Sequence, residues 1–261
     1  MEDLPVWDPD VYLEHADHRA RPFVDLMARV GAVDPRVVVD LGCGPGGLTR
    51  GLAARWPNAR VVGVDASAEM VRRAQADDDA ARCEFVLGDV RDWQPPHPVD
   101  VLVTNATLQW VPDHLALLPR WVEDLAPGGW VALAVPANFD APSHTLMRDL
   151  AGSPRWADRL AGVLRHGDAV AAPGTYLDVL AAAGCAVDVW QTTYLHLLQG
   201  EDPVLGWVRG TGLRPVLDAL SAGDGAAFEA EYAELLQAVY PAHPYGTPFP
   251  FTRTFAVGRC P

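Results

Sequence analysis

A glycine-rich turn directly after an apolar segment is the first place in the chain where chemistry is expected. Residues 40–47 read Asp-Leu-Gly-Cys-Gly-Pro-Gly-Gly, and they follow the apolar residues 37–39. Glycines in such a turn let the backbone approach a nucleotide-like ligand closely, and the helix that follows presents its amino terminus to that ligand. Asp65 comes about 20 residues further on, at the spacing of an acid that binds ribose hydroxyls. The pattern therefore predicts a nucleotide-type cofactor.

The acids around this turn distinguish two possible cofactors. Asp40 lies just before the glycines, where its carboxylate would repel the pyrophosphate of NAD. S-adenosylmethionine (SAM) carries an ammonium and a sulfonium group instead, and both favour nearby carboxylates. Asp89 could accept a hydrogen bond from the adenine amino group, and Asn105 could lie beside the methionine moiety. We therefore expect SAM, with an NAD(P)-dependent oxidoreductase and a non-catalytic SAM-binding module as alternatives.

Short apolar segments that alternate with amphipathic ones must position these residues. The apolar segments predict strands at 37–41, 61–64, 84–87, 99–103 and 130–135, with helices near 17–30, 48–56, 69–75 and 114–125. This alternation is typical of a doubly wound α/β fold, in which helices cover both faces of a mostly parallel sheet. Ligands of such sheets bind beyond the carboxyl ends of the strands, where the polar residues named above fall.

The second half of the chain is less regular. Residues 140–172 and 202–240 predict helical cap insertions, and a helix is expected over 175–183. A sixth strand is expected from Val187 towards Tyr194, and a final strand around Phe251 and Phe255. We expect a single domain over 1–261, in which 1–31 form a helical lid and 32–136 form the SAM-binding core.

Composition excludes several classes of function. The formal net charge is −14, and nucleic-acid binding requires a basic face. No apolar segment has membrane-spanning length and residues 1–5 do not begin a signal peptide, so a cytoplasmic protein is expected. The four cysteines at 43, 83, 185 and 260 form no Cys-x-x-Cys pair, which favours reduced thiols and no metal site. His144 and His166 are expected at the surface. The oligomeric state stays open.

Several segments resemble known methyltransferases. Residues 40–46 resemble the first motif of the class I SAM-dependent methyltransferases, which have a Rossmann-like fold. A narrower resemblance is to the trans-aconitate 2-methyltransferase family, and it covers roughly residues 7–257. The segments that carry it are Trp7-Asp8-Pro9 to Tyr12, Arg19-Ala20-Arg21-Pro22, residues 105–114, Ala183-Gly184-Cys185, residues 190–194, and Trp207 with residues 211–215. Residues 152–172 and 241–250 depart from the family pattern.

The resemblance implies a seven-stranded sheet whose final hairpin is reversed. It also implies transfer of a methyl group to a carboxylate of trans-aconitate, which gives a monomethyl ester. Another small acid or a natural product is the alternative within this class. The predicted cofactor-binding residues are Asp40, Gly42, Gly44, Gly46, Asp65, Ala66, Met70, Asp89, Val90 and Asn105.

A carboxylate acceptor determines what else the site needs. Carboxylic acids are ionised near neutral pH, so no catalytic general base is expected. A polycarboxylate substrate in an acidic chain requires locally concentrated cations, and the sequence contains arginine but no lysine. The predicted substrate-binding residues are Arg19, Arg21, Gln109, Trp110, Tyr194, Trp207 and Arg214, followed by Arg209, Arg253 and Tyr12 and by His15, His18 and His114. Residues 6–22 are expected to close over the substrate.

Overall fold

The structure is a computed structural model that describes residues 16–78, 81–164 and 169–261, with side chains from residue 20 onward. The chain divides into two compact units. The sheet unit contains residues 16–136, 170–192 and 253–261, and the helical unit contains the described residues of 137–169 and 193–252. Both predicted helical insertions, 140–172 and 202–240, fall mainly in the helical unit. Residues 1–15 of the predicted lid lie outside the described residues, and a helix over Ala16–Met27 forms much of the remainder. The predicted closure of residues 6–22 over the substrate stays a prediction.

Seven strands form one mostly parallel sheet, which confirms the predicted doubly wound α/β fold. They are β1 Val37–Leu41, β2 Arg60–Asp65, β3 Cys83–Leu87, β4 Val99–Asn105, β5 Leu125–Pro136, β6 Ala186–Leu198 and β7 Thr247–Arg259. Their order is β3-β2-β1-β4-β5-β7-β6. Strands β1 to β5 pair in parallel, whereas β7 runs antiparallel to β5. The reversed final hairpin implied by the family resemblance is thus present.

The helices occur largely where the sequence predicted them. They are α1 Ala16–Met27, α2 Gly47–Arg55, α3 Ala68–Ala76, α4 Leu117–Glu123, α5 Pro142–Ala151, α6 Ala157–Leu160, α7 Pro173–Ala182, α8 Pro203–Arg209, α9 Arg214–Ala219 and α10 Ala222–Val239. The predicted helix over 114–125 is wrong in extent, because a 3-10 turn at His114–Ala116 precedes α4. Strand β5 begins at Leu125, earlier than predicted, because Leu125 pairs with Val99 before the register shifts.

Each unit has its own hydrophobic core. In the sheet unit, the central strands β1, β4 and β5 are buried on both faces, which explains why they read as continuous apolar segments. In the helical unit, α5, α6, α8 and α10 pack around large aromatic side chains. Trp156, Trp207, Phe228, Tyr232 and Phe249 form the middle of that cluster. Two independent cores explain why the chain separates into two compact units.

One expectation about the cysteines is wrong. Cys185, at the start of β6, forms a disulfide with Cys260, which follows β7. The two residues are 75 positions apart in sequence, so no local spacing could signal the pair. Cys43 and Cys83 are free thiols. Among the described residues, no group of three or more metal-binding side chains occurs, and no helix is both long and apolar enough to cross a membrane.

Candidate cofactor and active site

The glycine-rich turn leaves the end of β1 with its backbone in the left-handed region. Gly42, Gly44 and Gly46 have φ values of 80°, 54° and 79°, which side chains other than glycine rarely adopt. A Cβ on Gly42 would overlap the side chain of Thr107, whereas a Cβ on Gly44 would meet nothing within 4 Å. Gly42 is therefore required for packing, and Gly44 leaves the backbone of the turn open to a ligand.

Asp65, at the carboxyl end of β2, fixes the shape of this turn. Its carboxylate accepts hydrogen bonds from the backbone N–H of Gly44 at 2.8 Å and of Ser67 at 2.9 Å. Burial raises the pKa of the Asp65 carboxyl, and these two hydrogen bonds oppose that shift. The backbone N–H groups of Gly42 and Cys43 also donate to the carbonyl of Val64. The predicted ribose acid is thus held in place next to the open turn.

Asp40 is the most deeply buried acid of the site, with 3% of its surface exposed. The hydroxyl of Thr49, in the first turn of α2, donates a 2.6 Å hydrogen bond to its carboxylate. Burial raises the pKa of Asp40 to about 7, the bond from Thr49 lowers it, and the charge of Asp65 raises it further. A cation placed nearby would favour the ionised form of such a carboxyl. Thr49 was not among the predicted site residues, because its hydrogen bond to Asp40 depends on the position of the first turn of α2.

Asn105, the last residue of β4, is buried and carries an acceptor that is not used. Its Oδ1 has no hydrogen-bond partner among the described residues. Two residues later, the hydroxyl of Thr107 lies 3.5 Å from the carbonyl of Gly42 and 3.3 Å from that of Asn105. These contacts join the segment after β4 to the glycine-rich turn. A buried acceptor without a partner costs free energy, which a donor on a bound ligand would recover.

Asp89 is already engaged with a neighbour. Its carboxylate accepts from the backbone N–H of Arg91 at 2.9 Å and from its guanidinium at 2.6 Å and 3.0 Å. These contacts hold the pKa of Asp89 below its usual range. An adenine amino group would therefore share this carboxylate with Arg91. Of the other predicted cofactor residues, Met70, Val90 and Gly46 are buried and Ala66 is exposed.

The predicted substrate residues that the structure describes are divided between the two units. Within the sheet unit, Arg21 is exposed on α1, Trp110 is half-buried, and the Gln109 amide donates to the carbonyl of Ala106 at 2.7 Å. The side chain of Arg19 lies outside the described residues, as do Tyr12, His15 and the side chain of His18. His114 is buried, and its Nε2 lies 2.8 Å from the hydroxyl of Tyr176. Burial lowers the pKa of His114, so it is a poor cation for binding an anion.

Within the helical unit, the predicted substrate residues have structural partners. Tyr194 and Trp207 are each 2% exposed, and each stacks with His196, with ring centroids 6.2 Å and 4.7 Å away. Arg209 forms an ion pair with Glu229 at 2.6 Å, and Arg214 forms one with Asp218 at 3.0 Å.

His144, which we expected at the surface, is half-buried in the structure. The ring of His144 packs 5.6 Å from that of Phe139 and approaches Gly212 closely. Burial lowers the pKa of His144 to about 4, and the charge of Arg148 adds to the shift. Its Nδ1 lies 3.1 Å from the hydroxyl of Ser143. His166 lies outside the described residues.

The fold and the site together define a class I SAM-dependent methyltransferase. A family model described as "Methyltransferase domain" matches residues 38–129, which contain the glycine-rich turn and the strand-end acids. Two solved structures share the fold. One is a putative methyltransferase from Bacillus halodurans, with a TM-score of 0.58 and 14% identity over 92% of this chain and 99% of that one. The other is a complex of a Haloferax volcanii Trm112 methyltransferase activator with a putative methyltransferase, with a TM-score of 0.56 and 21% identity over 95% of this chain and 92% of that one.

Curated relatives match over nearly the whole chain. A trans-aconitate 2-methyltransferase from Streptomyces avermitilis is 59% identical over 98% of this chain and 97% of that protein. One from Rhodococcus jostii is 53% identical over 97% and 99%, and one from Mycobacterium tuberculosis is 49% identical over 97% of each. The chain belongs to the trans-aconitate 2-methyltransferase family. The predicted class and family are thereby confirmed, and the oxidoreductase alternative is excluded.

Proposed function

We propose that the protein transfers the methyl group of SAM to a carboxylate of trans-aconitate and releases a monomethyl ester. The observation that carries this proposal is the similarity of almost the entire chain to proteins named trans-aconitate 2-methyltransferase. The likeness extends far beyond the cofactor motif, since it covers 97–98% of the chain.

The residues around the glycine-rich turn fit SAM. The carboxyl of Asp40, whose pKa is about 7, suits the cationic methionine moiety, as does Oδ1 of Asn105, which has no hydrogen-bond partner in the described part of the chain. The carboxylate of Asp65 suits the ribose hydroxyls, and the open backbone at Gly44 suits a close approach of the cofactor. When bound, SAM supplies the activated methyl group.

The chain's own contribution to the reaction is positioning. The acceptor carboxylate is ionised near neutral pH, so no side chain has to remove a proton from it. The protein must bind this carboxylate, align it with the methyl group and exclude water from the reacting oxygen. We therefore assign no general base.

A product assay tests the proposed function. The protein is incubated with isotopically labelled SAM and separately with trans-aconitate, cis-aconitate, citrate and a monocarboxylic acid, and the products are identified by mass spectrometry. We expect a labelled monomethyl ester from trans-aconitate at the highest kcat/KM. A faster reaction with another acid would support the alternative substrate instead. We further propose that the protein acts in the cytoplasm on a small dissolved acid, without nucleic acid or membrane, which cell fractionation tests.

A further inference from the structure

The buried part of β7 contains a cation where the strand pattern calls for an apolar residue. Alternate residues of a strand point to the same face, so Arg253 shares its face with Phe255 and Val257. Those two are 0% and 2% exposed, and Arg253 is 5% exposed. Burial of a guanidinium costs desolvation energy that an apolar side chain would avoid. Strand β7 therefore places a guanidinium, with its charge and its fork of donors, in a row of apolar side chains.

The sheet register locates Arg253 at the functional edge, which is the edge formed by the carboxyl ends of the parallel strands. Because β7 runs antiparallel to β5, Arg253 pairs with Pro136, the last residue of β5. Asn105 pairs with Ala134, two residues earlier on the same strand. With a rise near 3.3 Å per residue and strands about 4.8 Å apart, the Cα atoms of Arg253 and Asn105 are roughly 12 Å apart. A small acid could therefore contact Arg253 while it lies beside the cofactor residues.

The other candidate arginines are less suited to hold an anion. The side chains of Arg209 and Arg214 are 49% and 32% exposed, and Arg21 is exposed on α1. Water and salt weaken ion pairs at exposed positions. Among the described residues, Arg253 is the one arginine that is almost completely buried. Its planar fork can bind a carboxylate through two parallel hydrogen bonds in a low dielectric, where each bond is stronger.

We infer that Arg253 binds a carboxylate of the acidic substrate that is not methylated, and so determines the preference for acids with more than one carboxylate. This inference rests on the proposed function, because it requires an acidic substrate at this edge of the sheet. It assigns Arg253 a role that we predicted first for Arg21 and Arg214. Arg253 acts here on binding and orientation, since a carboxylate nucleophile needs no proton transfer.

Two variants of Arg253 test the inference. Arg253→Met removes the charge and the donors, and Arg253→Lys keeps the charge but loses the fork. We expect the KM for trans-aconitate to rise at least about tenfold in Arg253→Met and less in Arg253→Lys, with a smaller change in kcat. S-adenosylhomocysteine affinity, measured by calorimetry, and the melting temperature report whether the variants fold. Arg259→Met is the matched control, because Arg259 is exposed and pairs with Trp130 at the opposite edge of the sheet.

Substrate analogues separate a binding role from a structural one. In two analogues of trans-aconitate, one or the other unreactive carboxylate is replaced by a carboxamide. One replacement should raise the KM of the parent enzyme strongly and that of Arg253→Met hardly at all, because the partner of that carboxylate is gone. The inference is overturned if each analogue raises KM by the same factor in the parent enzyme and in Arg253→Met. If Arg253→Met does not fold, an unchanged KM for trans-aconitate in Arg253→Lys overturns it. Failure of the parent enzyme to esterify trans-aconitate contradicts the proposed function alone, since the arginine test can use whichever acid is methylated.

Discussion

At the scale of single residues, the titration of Asp40 links cofactor binding to pH. Burial raises the pKa of Asp40 to about 7, so much of the carboxyl is protonated in the free protein below that pH. The ammonium of a bound cofactor favours the ionised form and lowers this pKa. Binding should therefore release protons between about pH 6 and 7, and affinity for S-adenosylhomocysteine should rise with pH across that interval.

Calorimetry in two buffers of different ionisation enthalpy measures this proton release. Asp40→Asn cannot titrate at this position, so the release should fall and the affinity should become nearly independent of pH there. The same proton release in Asp40→Asn as in the parent protein would assign the titration to another group.

Asp65 gives a second prediction at this scale. Asp65→Ala removes the proposed acceptor for the ribose hydroxyls and two hydrogen bonds to backbone N–H groups. Hydrogen bonds to a charged group contribute ~1.5–3 kcal/mol each, so binding of S-adenosylhomocysteine should weaken at least about tenfold. Asp65→Asn keeps one carbonyl acceptor and should weaken binding less.

Asp100→Ala is the matched control for the Asp65 variants. Asp100 also accepts two backbone N–H bonds, from Arg36 and Val37, but it lies near the start of β4, away from the glycine-rich turn. Its loss should lower stability and leave cofactor affinity unchanged. If Asp65→Ala and Asp100→Ala lowered affinity equally, Asp65 would act only on stability.

At the scale of elements, the sequence predicted what depends on local patterns. Strands β1 and β4 could be predicted because burial on both faces requires continuous apolar segments. The glycine-rich turn could be predicted because its residues are contiguous in sequence. The start of β5 was placed too late because pairing of Leu125 with Val99 is not visible in either segment alone. The position of Arg253 likewise depends on the register of β7 against β5, so its place at the functional edge could not be predicted from sequence.

A buried hydrogen bond between elements of the sheet unit gives a third prediction. The hydroxyl of Tyr176 on α7 lies 2.8 Å from Nε2 of His114 and accepts from the backbone N–H of Ala171. Tyr176→Phe leaves the buried His114 and the half-buried Ala171 without this hydroxyl, so the free energy of unfolding should fall by about 1–3 kcal/mol. Denaturant melts measure this loss, with Tyr245→Phe as an exposed control. Equal free energies of unfolding for Tyr176→Phe and Tyr245→Phe would contradict a structural role for this bond.

At the scale of the whole molecule, charge limits where a polycarboxylate can bind. The formal net charge of −14 repels an anionic substrate at long range, so attraction must come from a small number of cations at the site. A buried arginine meets this need better than exposed ones, because salt does not screen it as strongly. The overall acidity and a local buried cation are therefore compatible.

The disulfide gives the last prediction, and it concerns stability alone. Cys185 and Cys260 are joined across 75 positions of sequence, and cross-linking a loop of that length stabilises a protein by roughly 4 kcal/mol in the chain-entropy account. Cys260 follows the end of β7 and donates its backbone N–H to Gly129, near the start of β5. The bond therefore lies at the edge of the sheet opposite the carboxyl ends of the parallel strands. Replacing both cysteines by alanine should lower the melting temperature by roughly 5–15 °C and leave S-adenosylhomocysteine affinity unchanged.

Thiol counting under denaturing conditions checks the bond directly. Two of the four cysteines, Cys43 and Cys83, should react with an alkylating agent before reduction, and all four should react after it. A reducing agent should lower the melting temperature of the parent protein and have no effect on the double alanine variant. In a reducing compartment the stability of the protein would then follow the local redox state. Four reactive thiols before reduction, together with a melting temperature that ignores the reducing agent, would show that Cys185 and Cys260 are a reduced pair in solution.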